Sequence, residues 1–172
     1  MSVVIITGAS KGIGAAAAVY LAEQGHKVVL AARSAEKVGE LALKIGASAL
    51  AVPTDVSSAS DMKNLFEKTV DKFGKVDVLV SNAGVIDPIA HIVDSDPEEW
   101  GKAIDINVKG VYLGLKYAAD FHVKTVINIS SGAATTALDG WSHYCASKAA
   151  VLMLTNCNSL LNLHFLDSLF FM

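Results

Sequence analysis

Apolar runs of strand length alternate with helix-length segments along this chain, and that alternation restricts the fold more than any single residue does. Val3–Thr7, Lys27–Ala32, Ala49–Val52, Val76–Val80 and Thr125–Ile129 read as strands. Between them, helical patterns span about Ile13–Gln24 and Ala35–Ile45, then run from the start signal Ser58-x-x-Asp61 through Phe73 to a stop at Gly74. A longer helix begins at Asp96-Pro-Glu-Glu99, with an acidic N-cap, a proline at N1 and a glutamate at N3, and is expected to reach about Ala119. A fifth helix follows the last strand. Alternation of this kind means parallel strands joined by right-handed crossovers. Hydrophobic residues make up 52% of the chain and charged residues 18%, as expected when a parallel sheet is covered on both faces. The expected fold is α/β, a doubly wound, Rossmann-like parallel sheet in one domain.

Charge and cysteine content remove several function classes. A formal net charge of −3, without a lysine or arginine cluster, leaves no electrostatic footprint for nucleic acid. Cys145 and Cys157 lack metal-ligand or Cys-x-x-Cys spacing, and the five histidines are scattered, so no metal site is expected and the cysteines read as reduced thiols. The chain enters a strand at Ser2-Val-Val-Ile-Ile-Thr7 with no basic stretch or cleavage site before it, so no signal peptide is read and a cytoplasmic location is expected.

Thr7-Gly-Ala-Ser-Lys-Gly-Ile-Gly14 stands between a strand and a helix, the context that a dinucleotide-binding turn requires. Gly8, Gly12 and Gly14 let the backbone turn tightly and approach a pyrophosphate, with Ser10, Lys11 and Ile13 between them; the helix N-terminus meets the ligand's charge. No Gly-Lys-Ser/Thr occurs, which excludes a triphosphate-binding loop. The end of the second strand chooses between cofactors, because an acidic residue there would hold the ribose 2′-hydroxyl of NAD. Ala32 and Arg33 stand in that place. With Lys11 nearby, Arg33 would flank a 2′-phosphate, so NADP(H) is favoured over NAD(H); the alternative is that both are ordinary surface cations.

Tyr144 and Lys148, four residues apart, share one face of the last helix. Alone the pair is weak, but Ser131 lies thirteen residues upstream at the end of an apolar strand, after the glycine turn already noted. Moving a hydride between nicotinamide and a carbonyl carbon leaves charge on the oxygen, so a proton donor must answer it. Tyr144 suits that role, because an ammonium at Lys148 favours the phenolate and brings a pKa of about 10 towards working pH.

These motifs together resemble the short-chain dehydrogenase/reductase family, of single-domain type. The likeness runs from residue 1 to about Thr155 and includes Thr7–Gly14, Asp55-Val56, Asn82-Ala-Gly84, Asn107, Ser131 and Tyr144-x-x-x-Lys148. It implies that Asp55 and Val56 contact the adenine, and that Asn82, Ala83 and Gly84 line the adenine-ribose channel. It further implies that Asn107, Ser131, Tyr144 and Lys148 form the active site. Lys148 would also hold the nicotinamide ribose, Asn107 a relay water, and Ser131 the oxygen of a small carbonyl or alcohol substrate. Ser130 competes with Ser131, and the thirteen-residue spacing favours Ser131.

The resemblance stops before the chain does. Residues 156–172 are unlike the family's continuation, which would add two more strands, a proline-glycine turn and a lid over the substrate. The expected sheet therefore has the order 3-2-1-4-5 and lacks the last two strands, with the dinucleotide-binding domain over 1–155 and a divergent hydrophobic tail over 156–172. In the tail, Leu160, Leu161, Leu163, Phe165 and Leu169 form a helical stripe suited to packing on the sheet or a partner, while asparagines, His164 and Asp167 interrupt any membrane-spanning window. The connection from Asp120 to Lys124 is short for the family. Two functions follow as expectations: an NADP-dependent oxidoreductase acting on a carbonyl or secondary alcohol, or a catalytically incomplete domain that binds cofactor weakly or associates with a full-length relative. An exposed edge strand predicts self-association, as a homo-oligomer or aggregate.

Overall fold

In a computed structural model, which describes residues 1–159, the chain forms a five-stranded parallel sheet in the order β3-β2-β1-β4-β5. The elements are β1 (Val3–Thr7), α1 (Gly12–Glu23), β2 (Lys27–Ala32), α2 (Ala35–Ile45), β3 (Ala49–Pro53), α3 (Ala59–Phe73) and β4 (Val78–Ser81). Then come α4 (Pro97–Ile104), a π-helical turn (Asp105–Lys109), α5 (Gly110–Asp120), β5 (Thr125–Asn128) and α6 (Ser142–Ser159). The helical stripe expected at Leu160–Leu169 lies outside the described residues, and the boundary expected after Thr155 falls within α6.

Local chemistry explains the element ends. Ser58 Oγ accepts from the Asp61 N–H at 3.3 Å and donates to Asp61 Oδ1 at 3.0 Å, so the start of α3 is satisfied in both directions. Gly74 closes α3 in the left-handed conformation at φ 80°. Asp96 caps α4 by accepting from the Glu99 N–H at 2.9 Å, with Pro97 at N1. The β4 ladder begins at Val78, two residues later than the apolar run suggests, and Asp77 stands at its entry. Its carboxylate accepts from the Val3 N–H at 2.8 Å and from Lys75 Nζ, tying the entries of β1 and β4 together. Burial raises the Asp77 pKa, but those hydrogen bonds outweigh it and hold the carboxyl below its ordinary value.

Both sheet faces are covered around β1 and β2. Ile5, Val29 and Val52 pack with Met62, Leu65 and Phe66 of α3, Val111 and Leu115 of α5, and Val151 of α6. On the other face Val4, Ile6, Val28 and Leu30 pack with Ala18 of α1 and Val38 of α2. Coverage thins towards β5. Val78 pairs with Thr125 and Val80 with Ile127, and these four residues, on the α1/α2 face, are only half-buried.

The single helix expected from Asp96 to about Ala119 is instead α4 and α5 joined through the π turn. A π turn holds one more residue per hydrogen-bonded ring than an α turn, and such insertions are frequent at functional sites. The residue at its centre is Asn107, 2% exposed. Hydrophobic periodicity carries no signal for one extra residue, so the reading from sequence misses it.

Candidate active site

The direction in which strands are added reverses between β1 and β4, all of them parallel: β2 and β3 build out from one side of β1, β4 and β5 from the other. Such a switch point opens a crevice at the carboxyl ends of the strands. Here it is a cleft of about 720 Å³. Its walls gather Gly8, Ser10, Lys11, Gly12 and Ile13 from the glycine turn, Arg33 from the end of β2, Asp55 and Val56 after β3, and Asn82, Ala83 and Gly84 after β4. Thr54, Ile106 and the segment Val85–Asp87 also line it, and the reading from sequence misses these.

The glycines divide by cause. A Cβ on Gly14 would lie 2.6 Å from Asn82 Nδ2 and 2.7 Å from the Gly8 carbonyl oxygen; Gly14 stands behind the cleft wall and is required by packing. Gly8, at φ 68°, would meet Ala83 Cα at 2.8 Å. Gly12, at φ 58°, would meet nothing within 4 Å, so its backbone faces open space, as the approach of a diphosphate needs. Arg33 and Lys11 are exposed in the same cleft. Asp55 lies within electrostatic reach of Arg33. Its carboxyl is held below the ordinary value, chiefly by the Ser57 hydroxyl at 2.7 Å, with the Ser57 N–H, Arg33 and Lys109 assisting against burial. The residues present therefore fit a dinucleotide, with open backbone at the turn and two exposed cations at one end.

At the other end of the cleft lies a second cluster. Lys148, 6% exposed, donates from Nζ to the Ile129 carbonyl oxygen at 2.7 Å and stands 5.6 Å from the centre of the Tyr144 ring. Burial lowers the Lys148 pKa to about 8. Tyr144 is half-buried, with its ring edge-on to Trp141 at 5.5 Å. Asn107 grips one residue twice: Oδ1 accepts from the Val85 N–H and Nδ2 donates to the Val85 carbonyl, each at 2.8 Å. Nδ2 also donates to Ser147 Oγ at 3.1 Å, and Ser147 donates to the Tyr144 carbonyl at 2.8 Å. Gly84 joins the two clusters, since a Cβ there would lie 3.3 Å from Asn107 Oδ1 and 3.9 Å from Lys148 Nζ.

The two serines differ. Ser131 is half-buried and caps a short 3-10 turn by accepting from the Ala133 N–H at 3.2 Å, which leaves its own proton free to donate. Ser130 is 4% exposed and its Oγ has no hydrogen-bond partner. Among the described residues, no group of three or more His, Cys, Asp or Glu could hold a metal, and no helix is long and apolar enough to cross a membrane.

A glycine-turn cleft at a topological switch point, with a tyrosine and a buried lysine one helical turn apart at its end, defines a class of doubly wound α/β protein. Residues 2–161 match the family model for short chain dehydrogenase, and the chain belongs to that family. Among curated relatives, an uncharacterized oxidoreductase of Schizosaccharomyces pombe is 38% identical over 155 residues, covering 88% of this chain and 62% of the relative. A 3-oxoacyl-[acyl-carrier-protein] reductase of Synechocystis is 36% identical over 161 residues, covering 89% and 65%. The chain thus spans a little under two thirds of the length of these relatives. Solved structures are similar too. A 3-ketoacyl-(acyl-carrier-protein) reductase from Brucella melitensis complexed with NADH is 30% identical with a TM-score of 0.90, covering 97% of this chain and 74% of that one. An alcohol dehydrogenase from Thermococcus sibiricus complexed with 5-hydroxy-NADP is 29% identical with a TM-score of 0.91 and the same coverage.

Proposed function

We propose that this chain is the cofactor-binding and proton-transfer part of an NADP(H)-dependent oxidoreductase that interconverts a carbonyl and a secondary alcohol. The observation that carries the reading is the convergence of Lys148 and Asn107 on Gly84 in the cleft wall, with the Tyr144 ring centre 5.6 Å from Lys148 Nζ. When bound, the nicotinamide supplies or takes the hydride. Tyr144 gives its hydroxyl proton to the oxygen as charge develops there, or takes it back in the oxidative direction. Lys148 as an ammonium favours the tyrosinate, and donors beyond the one spent on Ile129 remain for a ribose hydroxyl. Ser131, rather than the enclosed Ser130, donates to the substrate oxygen. Arg33 and Lys11 hold the 2′-phosphate, and Asp55 and Val56 the adenine.

Tyr144→Phe tests this. Consumption of NADPH with a panel of ketones and aldehydes should fall by roughly 10²–10⁴-fold while NADPH affinity stays nearly unchanged, since only the proton donor is removed. Turnover retained in the phenylalanine variant would reduce Tyr144 to a packing residue.

A second reading rests on the thin coverage of β5. With Val78, Val80, Thr125 and Ile127 half-buried at one end of the sheet, the domain would associate through that end and bind cofactor without completing a substrate site.

A further inference from the structure

The helix that carries Tyr144 and Lys148 presents a second stripe one residue earlier, His143 and Ser147, again four residues apart. His143 is 2% exposed and its Nε2 is hydrogen-bonded to the Ile86 carbonyl oxygen. A carbonyl only accepts, so Nε2 carries the proton and acts as donor. Val85 and Ile86 belong to the cleft wall that runs on from Gly84. Asn107 holds Val85 from the π turn, through both its N–H and its C=O. It does not reach the next carbonyl. His143 supplies that contact and ties the wall directly to α6 by a hydrogen bond. Because Ile86 is itself 40% exposed, packing alone holds it weakly.

We propose that His143 is a positioning residue: its bond to Ile86 sets the 84–87 wall in register with Tyr144 and Lys148, so that the nicotinamide half of a bound dinucleotide meets that pair in one orientation. The proposal rests on the cofactor reading above. It concerns only the half of the cleft near Gly84, because Arg33, Lys11 and Asp55 lie at the other end. A histidine that merely filled space would show no such polarity.

Two ligands separate the halves: NADPH, and 2′,5′-ADP, which lacks the nicotinamide portion. Titrated against the full chain, His143→Leu should weaken NADPH about tenfold, the scale of one net hydrogen bond, and leave 2′,5′-ADP within about twofold. His143→Gln, whose amide can donate to the same carbonyl, should recover NADPH binding to within about threefold. Amide hydrogen exchange without ligand should be faster over residues 84–87 in His143→Leu and unchanged over β1–β3. If His143→Leu fails to fold, His143→Asn, too short to reach Ile86, replaces it in every comparison. Equal weakening of both ligands, a glutamine variant as impaired as the leucine one, or unchanged binding in His143→Leu would each overturn the proposal. Wild-type chain that binds neither ligand would reject the cofactor reading instead; unaltered exchange over 84–87 would then overturn the positioning role by itself.

Discussion

Asn82 reaches back across the switch point to Thr7. Its Nδ2 donates to the Thr7 carbonyl at 2.9 Å, while Thr7 Oγ1 accepts the N–H groups of Asn82 and Ala83, each at 3.0 Å, and donates to the Val80 carbonyl at 3.3 Å. One threonine hydroxyl and one amide thus lock the carboxyl ends of β1 and β4 together, and the glycine turn is built on that lock. Asn82, expected from the family resemblance to line a channel, is also a structural clamp.

Asn82→Ala should therefore destabilise the fold by about 1–3 kcal/mol, because it strips a partner from backbone groups that are poorly solvated. Gly14→Ala should do at least as much, since the added Cβ would sit 2.7 Å from backbone oxygen that cannot step aside. Thermal melts of the two variants check both. A melting point unchanged in either variant would mean that the turn relaxes freely.

Arg33→Asp should weaken NADPH far more than NADH. The 2′-phosphate loses a charge-assisted partner and gains a like charge beside Asp55, worth a few kcal/mol, about 10²-fold, whereas a ribose hydroxyl can donate to the new carboxylate. Parallel titrations with the two cofactors read the ratio. Equal losses would place Arg33 outside the phosphate site.

Lys148 makes stability depend on pH with a definite sign. Burial pushes its pKa from 10.5 to about 8, so between those values the unfolded chain binds more protons and stability from this group rises with pH. The burden of the buried ammonium is complete below pH 8, at 6% exposure. Lys148→Met should raise the melting point at pH 7, by on the order of 1–3 kcal/mol of stability, while weakening NADPH binding. The gain should shrink through pH 8 and vanish near 10.5. A stabilisation that does not vary with pH would assign it to packing alone.

Association through the β5 end is tested on Ile127, half-buried on the thinly covered face and paired with Val80. We expect the chain to sediment as an oligomer and Ile127→Lys to shift it towards monomer, since a charge on an apolar edge opposes pairing. A wild-type chain that sediments as a monodisperse monomer and melts cooperatively would reject association through this end.

The strand–helix alternation, the start of α3 at Ser58, the stop at Gly74 and the cap at Asp96 were all legible along the chain, because each depends on near neighbours: a side-chain oxygen three residues from an N–H, or a left-handed glycine after the last turn. The glycine turn and the four-residue step from Tyr144 to Lys148 were legible for the same reason, since helical periodicity alone puts the pair on one face. What only the tertiary structure decided are relationships between distant segments. The clamp from Asn82 to Thr7 spans 75 residues, and the grip of Asn107 on Val85 spans 22. His143 finds Ile86 across 57 residues. The π turn that aims Asn107, and the burial that lowers Lys148, likewise arise only once α4, α5 and α6 pack against the sheet. Such contacts reflect which segments the parallel topology stacks together, and hydrogen-bond geometry and desolvation are properties of that packing rather than of any stretch of sequence.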